Sequence, residues 1–527
     1  MRCDSHLIPP QPPLPPAYNK PPDPRRHKPS AAPTTSSTMY ALLPLLPFLL
    51  LVLYLLPRRP YLRGPPLLSV LLPGPVRTFH ANPNRLTECL SAISRTHGEV
   101  FALWLGLSRV VFTTDPADMV HMSSDTRLFP RAPRMRAIFE LAVPGGIFAM
   151  SHEQHRVVRA ALHRNFNHSM LRGFHPAMKR AVDTLCEALR RAAAAGKPVD
   201  ISTLLSSTTF MIILNVAFGG DFSPADCLKF AADIDILSEE LMLEYVQYWV
   251  RAAFEWAGSR ARLFACKKRI YAMCNQFVQR RLAETRADKE ARAPDMLDTI
   301  LSLDQVPEHE LASLIVEFAI AGSYTTSQTM TWSLYETCCV PRAREAVHEE
   351  LARKFGGKGA DEMLSFEEVD TLEYVRNVWK ESTRLHPISP LLERVVTEDV
   401  TLKGTGVRLP KGTILYGNIK RMQTHPGIWS KADEFRPERW GRRGIEAERV
   451  PFGAYAAFAL GKIKCVGRFL ADYEGPLIIA ELHRRFKFQL ACEKDEVVNR
   501  SNFVDLPRYL NKSTGQEEGI PMYVELR

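Results

Sequence analysis

One uncharged run divides this chain into parts that must be read separately. From Pro29 to Pro57 there is no Asp, Glu, Lys or Arg, and the core of the run, Met39 to Leu56, reads MYALLPLLPFLLLVLYLL. At about 1.5 Å per residue this core makes roughly 27 Å of helix, enough for a thin bilayer. Pro44 and Pro47 lie near its start, where lipid-embedded helices tolerate them. A cleaved secretory signal is the competing reading, but it has a shorter apolar core and a small-residue cleavage site. This run ends instead in Pro57-Arg58-Arg59-Pro60. Residues 39–57 are therefore read as an uncleaved transmembrane anchor. Residues 1–38 become a Pro-rich extension without a fold, 58–76 a stiff proline hinge, and 77–527 the folded body. Arg58, Arg59, Arg63 and Arg77 behind the run favour a cytoplasmic body. Lys20, Arg25, Arg26 and Lys28 ahead of it nearly balance them, a tie that a start at Met39 would remove.

The charge balance follows the same division. Residues 1–77 carry nine Lys/Arg against two Asp/Glu, which is +7 of the formal +10, so the body is nearly neutral. A nucleic-acid binder needs its basic stripe on the folded body, and that class is excluded. With 46% hydrophobic residues the chain can bury a large core and is not disordered as a whole. The ten cysteines are scattered, without a C-x-x-C pair or zinc-type Cys/His spacing, so neither a disulfide framework nor a zinc site is expected. Val100 to Leu105 and Arg109 to Thr114 flank Gly106-Leu107-Ser108 as a hairpin. Met178 to Ala194, Cys266 to Asp288 and Ala343 to Phe355 have helical period, and strand patterns return at Val395 to Leu402 and Val407 to Leu415. The body reads as mainly α with a minor β part.

Four segments carry chemistry. FALGKIKCVGRFLA, Phe458 to Ala471, sets Cys465 between Gly461 and Gly467, directly ahead of an amphipathic run from Arg468 to Phe486. Sulfur at a turn entering a helix meets backbone N–H groups and positive helix potential, which predicts a lowered thiol pKa and a metal ligand. An inert buried cysteine is the plainer alternative. In KESTRLHP, Glu381 and Arg384 share a helical face and can pair, although most such pairs are solvated bridges worth little. FRPERW offers Arg439 to the same pair. In LASLIVEFAIAGSYTTS, Leu311 to Ser327, an apolar face runs into Ala321-Gly322 and the hydroxyls of Ser323, Tyr324, Thr325, Thr326 and Ser327. Those hydroxyls bond back to helix carbonyls or hold water; a satisfied patch in a core helix is the alternative.

Taken together, the four segments resemble the cytochrome P450 family of haem-thiolate monooxygenases over nearly the whole chain after the hinge. The resemblance implies the P450 fold and haem b (iron protoporphyrin IX) with an axial thiolate. Cys465 matches the ligand of the family's F-x-x-G-x-R-x-C-x-G loop, with Phe458, Gly461 and Gly467 in place. Glu381 and Arg384 match its E-x-x-R helix, and Arg439 completes that structural triad. Thr325 matches the threonine of A-G-x-D/E-T-T, while Arg394 and the pair His155/Arg159 fall where haem propionates find partners. The anchor and hinge look like those of microsomal members, which implies a single-pass protein of the endoplasmic reticulum membrane with its body in the cytoplasm.

Three departures touch this transfer: Ile463 replaces the loop arginine, His155 replaces a tryptophan, and Tyr324 replaces the acid before Thr325. A phenol of reference pKa about 10 relays protons poorly near neutrality, which leaves the path to Ser323, Thr326 and water. Ala321 and Gly322 are expected to leave room for dioxygen. No G-x-G-x-x-G nucleotide signature is present, so electrons must come from a partner. The resemblance implies a membrane-bound NADPH-dependent cytochrome P450 reductase, with cytochrome b5 as a further candidate, drawn to Lys462, Lys464 and Arg468. Candidate pocket residues are Ile138, Phe139, Phe318, Ala321, Leu391 and Leu392, with Leu237 to Phe254 as a membrane-facing lid. An apolar pocket beside a bilayer suits a lipid, sterol or terpenoid. Two other readings remain: a haem-thiolate isomerase or dehydratase that uses a peroxide without reductase, and a membrane haem protein without turnover.

Overall fold

Local chemistry marks where the elements begin and end. Asp115 caps one helix by accepting the Asp118 N–H at 2.9 Å, and Pro116 fills its first position. Asp200 caps another by accepting the Thr203 N–H at 3.1 Å, and Gly219 closes it in the left-handed conformation at φ 59°. Between those caps lies a segment apolar on every face, and it forms a buried core helix. It is long and apolar enough to cross a membrane, but its burial inside the body assigns it to the core.

The structure, a computed structural model, describes residues 85–527 except 106–107, 164–167, 220–222, 291–294, 303–305, 360 and 502–503. The extension, anchor and hinge expected at 1–38, 39–57 and 58–76 lie outside the described residues. In chain order the body runs α1 (Leu86–His97), β1 (Val100–Leu105), β2 (Ser108–Thr113), α2 (Pro116–Ser124), α3 (Pro133–Ala142), α4 (His152–His163), α5 (His168–Ala195), β3 (Val199–Asp200), α6 (Ile201–Phe218), α7 (Pro224–Ala253) and α8 (Ala261–Leu282). It continues with α9 (Arg286–Glu290), α10 (Met296–Leu301), α11 (Glu308–Cys339), α12 (Pro341–Phe355), α13 (Phe366–Asp370), α14 (Tyr374–Leu385), β4 (Leu391–Val395), β5 (Val400–Thr401), β6 (Arg408–Leu409), β7 (Ile414–Asn418) and α15 (Ile419–Gln423). Last come α16 (Arg442–Glu448), α17 (Arg468–Arg485), β8 (Phe486–Leu490), β9 (Val497–Ser501), β10 (Asp505–Leu510), β11 (Glu517–Glu518) and β12 (Pro521–Leu526).

The architecture is mainly helical with small sheets, as the periodicity implies. The hairpin appears as β1 and β2, antiparallel with Leu105 opposite Ser108; β2 then pairs in parallel with β7, and β7 antiparallel with β4. One expected helix breaks. The run from Cys266 to Asp288 ends at Leu282, because Thr285 and Asp288 cap each other's backbone N–H groups and start a new helix.

The core is organised around α11, which packs on α6, α8, α14 and α17. Gly322 explains how closely α11 and α6 approach: a Cβ there would meet the Ile213 side chain at 2.8 Å. Its missing side chain therefore serves helix packing, a constraint in addition to the space for dioxygen expected of it. The lid expected from Leu237 to Phe254 lies mostly within α7, where Leu237, Leu241, Met242 and Tyr245 are buried in the core, while Phe254 just after the helix is exposed.

Candidate functional site

The cysteine loop is a turn held open by backbone bonds. The Cys465 N–H donates to the Phe458 carbonyl at 2.8 Å, and the Arg468 guanidinium sits 5.5 Å from the Phe458 ring centroid. Gly461 adopts φ 56°, and a Cβ there would meet the Ser123 carbonyl at 2.9 Å, so both backbone and space require glycine. Gly467 caps α17 at an ordinary φ with free space around it. Cys465 retains accessible surface although protein encloses it on most sides. Burial pushes its thiol up from the ordinary value, while the Gly467 N–H and the Arg159 charge pull it down. The lowered pKa expected from the turn is thus overridden, because enclosure outweighs one N–H group and the helix start.

Arginines gather beside this loop. Arg159 on α4 donates to the Lys464 carbonyl, one residue before Cys465. Its charge, with that of Arg136, acts on Arg131, whose charge in turn acts on Arg394 in β4. Burial drives both Arg131 and Arg394 down to about 10, and the neighbouring cations push the same way. Against them stand two carboxylates already engaged: Glu317 accepts the Phe148 N–H at 2.9 Å, and Glu393 accepts the Tyr416 hydroxyl at 2.6 Å. The cluster keeps a surplus of positive charge, as a site for a group with two carboxylates would. Haem is such a group, so the residues fit it. His155, half-buried on α4, lies one turn before Arg159.

Sequence reading missed Arg131 and Glu317. An arginine flanked at short range by Pro130 and Pro133, and a lone acid in the otherwise apolar Leu314 to Ile320, were the available signals.

Along α11, accessibility separates the hydroxyls. Ala321 is exposed and Thr325 half-exposed in the middle of a helix whose neighbouring residues are mostly buried. The Thr325 hydroxyl donates to the Ala321 carbonyl at 2.8 Å. Ser323 and Thr326 are buried and donate to the carbonyls of Ala319 and Gly322, the latter at 3.1 Å; the Ser323 carbonyl also receives the Thr209 hydroxyl of α6. Tyr324 turns to α7, donating to Asp235 Oδ1 at 2.7 Å, and Arg508 of β10 meets the same oxygen at 3.1 Å. Burial and the Asp235 charge hold this phenol well above its usual pKa. The structure therefore does not bring Ser323, Tyr324 and Thr326 onto the accessible side with Thr325, because successive helix positions point around the axis.

The structural triad is closed and buried. Arg384 donates to Glu381 through Nε at 2.9 Å and Nη2 at 2.8 Å, and Arg439 Nε reaches Glu381 Oε1 at 2.9 Å. Trp440 Nε1 and the Arg436 N–H complete the carboxylate, each at 2.9 Å. Arg384 Nη1 reaches the carbonyls of Gln423 and Ala432, and Nη2 also reaches that of Glu434. The solvated-bridge alternative is excluded, since all three side chains are 0% exposed.

The pocket candidates divide. Phe139, Ala321, Leu391 and Leu392 keep accessible surface, whereas Ile138 and Phe318 are buried in the core. Ile138 goes inward with Ala142 on the same face of α3.

Comparison with known proteins agrees with this geometry. The profile of the family described as Cytochrome P450 matches residues 63–509. Cytochrome P450 76C2 of Arabidopsis thaliana is 27% identical over 454 residues, spanning 81% of this chain and 85% of its own. Oryzalexin E synthase of Oryza sativa subsp. japonica is 26% identical over 435 residues, spanning 76% of this chain and 81% of its own. A crystal structure of a cytochrome P450 (CYP102L1) superposes with a TM-score of 0.71 at 21% identity, covering 84% of this chain and 94% of that one, and so shares the fold. With the family profile covering most of its length, this chain belongs to the cytochrome P450 family, the haem-thiolate monooxygenases.

Proposed function

We propose that this protein binds haem through Cys465 and inserts one oxygen atom of dioxygen into a small apolar substrate, using electrons from a partner reductase. One observation carries the reading: a thiol loop, a surplus of enclosed arginine charge, half-buried at Arg131 and Arg159 and buried at Arg394, and the accessible stretch of α11 adjoin one another through Arg159, Arg131 and Glu317. When bound, haem supplies the activation of dioxygen. Cys465 would ligate the iron as its thiolate, in the loop that Arg159 holds through the Lys464 carbonyl. Arg131, Arg159, Arg394 and His155 would hold the two carboxylates. Lys462 and Lys464 are exposed beside the cysteine loop and form, with Arg468, a basic face for an acidic flavoprotein. An NADPH-dependent reductase, with cytochrome b5 as a further donor, fits that face.

Thr325 is the hydroxyl placed to hand on a proton. Its bond to the Ala321 carbonyl leaves the oxygen free to accept, on the accessible side of α11. Thr325→Ala should keep haem and lose the coupling of reductant use to product; unchanged coupling removes Thr325 from the mechanism. Phe139, Leu391 and Leu392 give the site its apolar walls, suited to lipids, sterols or terpenoids taken from the membrane to which residues 39–57 anchor the chain. The endoplasmic reticulum, with the body in the cytoplasm, fits the cations behind that anchor.

The deciding experiment is the carbon-monoxide difference spectrum of the reduced protein. A thiolate-type Soret band is expected, and its survival in Cys465→Ala overturns the assignment. A second reading, a peroxide-using isomerase or dehydratase, draws on Tyr324, whose phenol is committed to Asp235. Consumption of NADPH and oxygen in the presence of reductase separates the two.

A further inference from the structure

The segment joining α3 to α4 lies flat on α11. Gly145 and Gly146 permit this: a Cβ on Gly145 would run into the Glu310 side chain, and one on Gly146 would meet the Glu317 carboxylate at 2.8 Å. The next two residues are gripped from two sides. Glu317 accepts the backbone N–H of Ile147 and, at 2.9 Å, that of Phe148. Arg131 donates through Nη1 to their carbonyls, at 3.1 Å for Ile147 and 2.7 Å for Phe148. All four polar backbone groups of Ile147 and Phe148 are thereby satisfied by two oppositely charged side chains. The Phe148 ring stacks on Phe139 with centroids 4.7 Å apart, and the Arg131 guanidinium lies 4.4 Å from its centroid. A buried acid between the apolar Val316 and Phe318 is costly, and packing alone would not call for one.

We infer that Glu317 is a positioning residue which, together with Arg131, holds the Ile147 and Phe148 peptides and so fixes the Phe139–Phe148 ring pair as a wall of the substrate site. This rests on the reading that the interior beside Ala321 and the arginine cluster receives haem and an apolar substrate. Because Arg131 belongs to both the wall and the arginine cluster, the wall is registered to the cofactor site. Ligands that reach it are selected by how their rings meet a wall that does not yield. Releasing the grip costs affinity for those ligands, since the wall must then be ordered on binding.

The test uses the haem-loaded full chain at about pH 8, above the value of about 7 to which burial pushes the Glu317 carboxyl. Amide hydrogen exchange of residues 143–151 is compared in the wild type, Glu317→Ala and Glu317→Gln. The amides of Ile147 and Phe148 should exchange at least about tenfold faster in Glu317→Ala, with Glu317→Gln between, since its amide oxygen still accepts a bond. In Glu317→Ala, binding of 4-phenylimidazole, read by the Soret shift, should weaken by at least about fivefold while imidazole stays within about twofold. Unchanged exchange in both variants overturns the inference, as does an equal loss for both probes. Should Glu317→Ala fail to fold, faster exchange in Glu317→Gln supports the inference and unchanged exchange rejects it. An absent thiolate band in the wild type would instead reject the haem-thiolate reading itself.

Discussion

Two groups of arginines in this molecule, one fully buried and one only partly so, are built on opposite principles. Around Glu381, Arg384 and Arg439 share one carboxylate, which also receives Trp440 and the Arg436 N–H; Arg439 has Glu448 as a second carboxylate, and the other guanidinium N–H groups find carbonyls. Every charge there is answered by the protein itself. Around Arg131, Arg159 and Arg394, cations adjoin cations, and the two nearby carboxylates are partly spent on backbone and tyrosine donors. Buried charge that the fold satisfies acts as a fastener, whereas buried charge left in surplus acts as a receptor for something the chain does not contain. The two groups should therefore respond to mutation in opposite ways.

The largest effect is expected at the fastener. Glu381→Gln removes the charge that two guanidinium groups share in a dry setting, leaving Arg384 without a carboxylate and Arg439 with Glu448 alone. Breaking a buried pair this way costs about 3–5 kcal/mol. Denaturant unfolding should show a loss of that order, with poor haem retention as a secondary result. A loss below about 1 kcal/mol would place Glu381 with ordinary surface pairs and erase the contrast between the two groups.

The Glu381–Arg384 part of the fastener and the cysteine loop were legible in the amino-acid order because those partners lie close in sequence, whereas Arg439, 58 residues from Glu381, came through the family resemblance. Glu381 and Arg384 are one turn apart, and Phe458, Gly461, Cys465 and Gly467 form one loop. The receptor was only half legible. Arg159 and Arg394 came through the family resemblance, but Arg131 gains its meaning from Arg159, Arg394 and Glu317, which the fold alone brings to it. Tyr324 shows the same limit more sharply. Its identity pointed to impaired proton transfer, yet its contact with Asp235, 89 residues away, is what commits the phenol. Gly322 was assigned to the reacting centre because of its neighbours in sequence, while a further constraint, Ile213 on another helix, comes from the fold.

The next effect sharpens the boundary of the receptor through pH. Glu317 rises from 4.5 to about 7, chiefly by burial, so the folded chain holds a proton that the unfolded chain releases. Its contribution to stability is present in full below the unfolded value and is lost as pH rises through about 7. The groups facing it do not titrate between: Arg131 sits at about 10, and burial pushes the Tyr271 hydroxyl of α8 upward. A rise of this size corresponds to at most roughly 3 kcal/mol. Glu317→Gln should lack this loss, so the stability gap between wild type and variant should move against the wild type from about pH 5 to about pH 8. A gap that stays constant would mean that the carboxyl is ionised throughout and that the receptor's surplus charge is smaller than its geometry suggests.

The smallest effect is the one that separates receptor from fastener most directly. Arg394 is buried, its pKa is driven down to about 10 by burial and by Arg131, and its Nη1 donates to the carbonyl of its own neighbour, Glu393, at 2.8 Å. In the haem-free chain its charge is a burden, so Arg394→Met, which keeps the length and removes the charge, should leave the thermal midpoint unchanged or raise it. The same change takes away a cation for a haem carboxylate, and transfer of haem to an acceptor protein should quicken by about tenfold, which is about 1.4 kcal/mol. Opposite signs in the two measurements are the signature of a receptor, because a fastener loses both stability and retention together. If Arg394→Met destabilises the haem-free chain as Glu381→Gln does, then Arg394 belongs to the scaffold, and the surplus of charge beside Cys465 must be assigned to Arg131 and Arg159 alone.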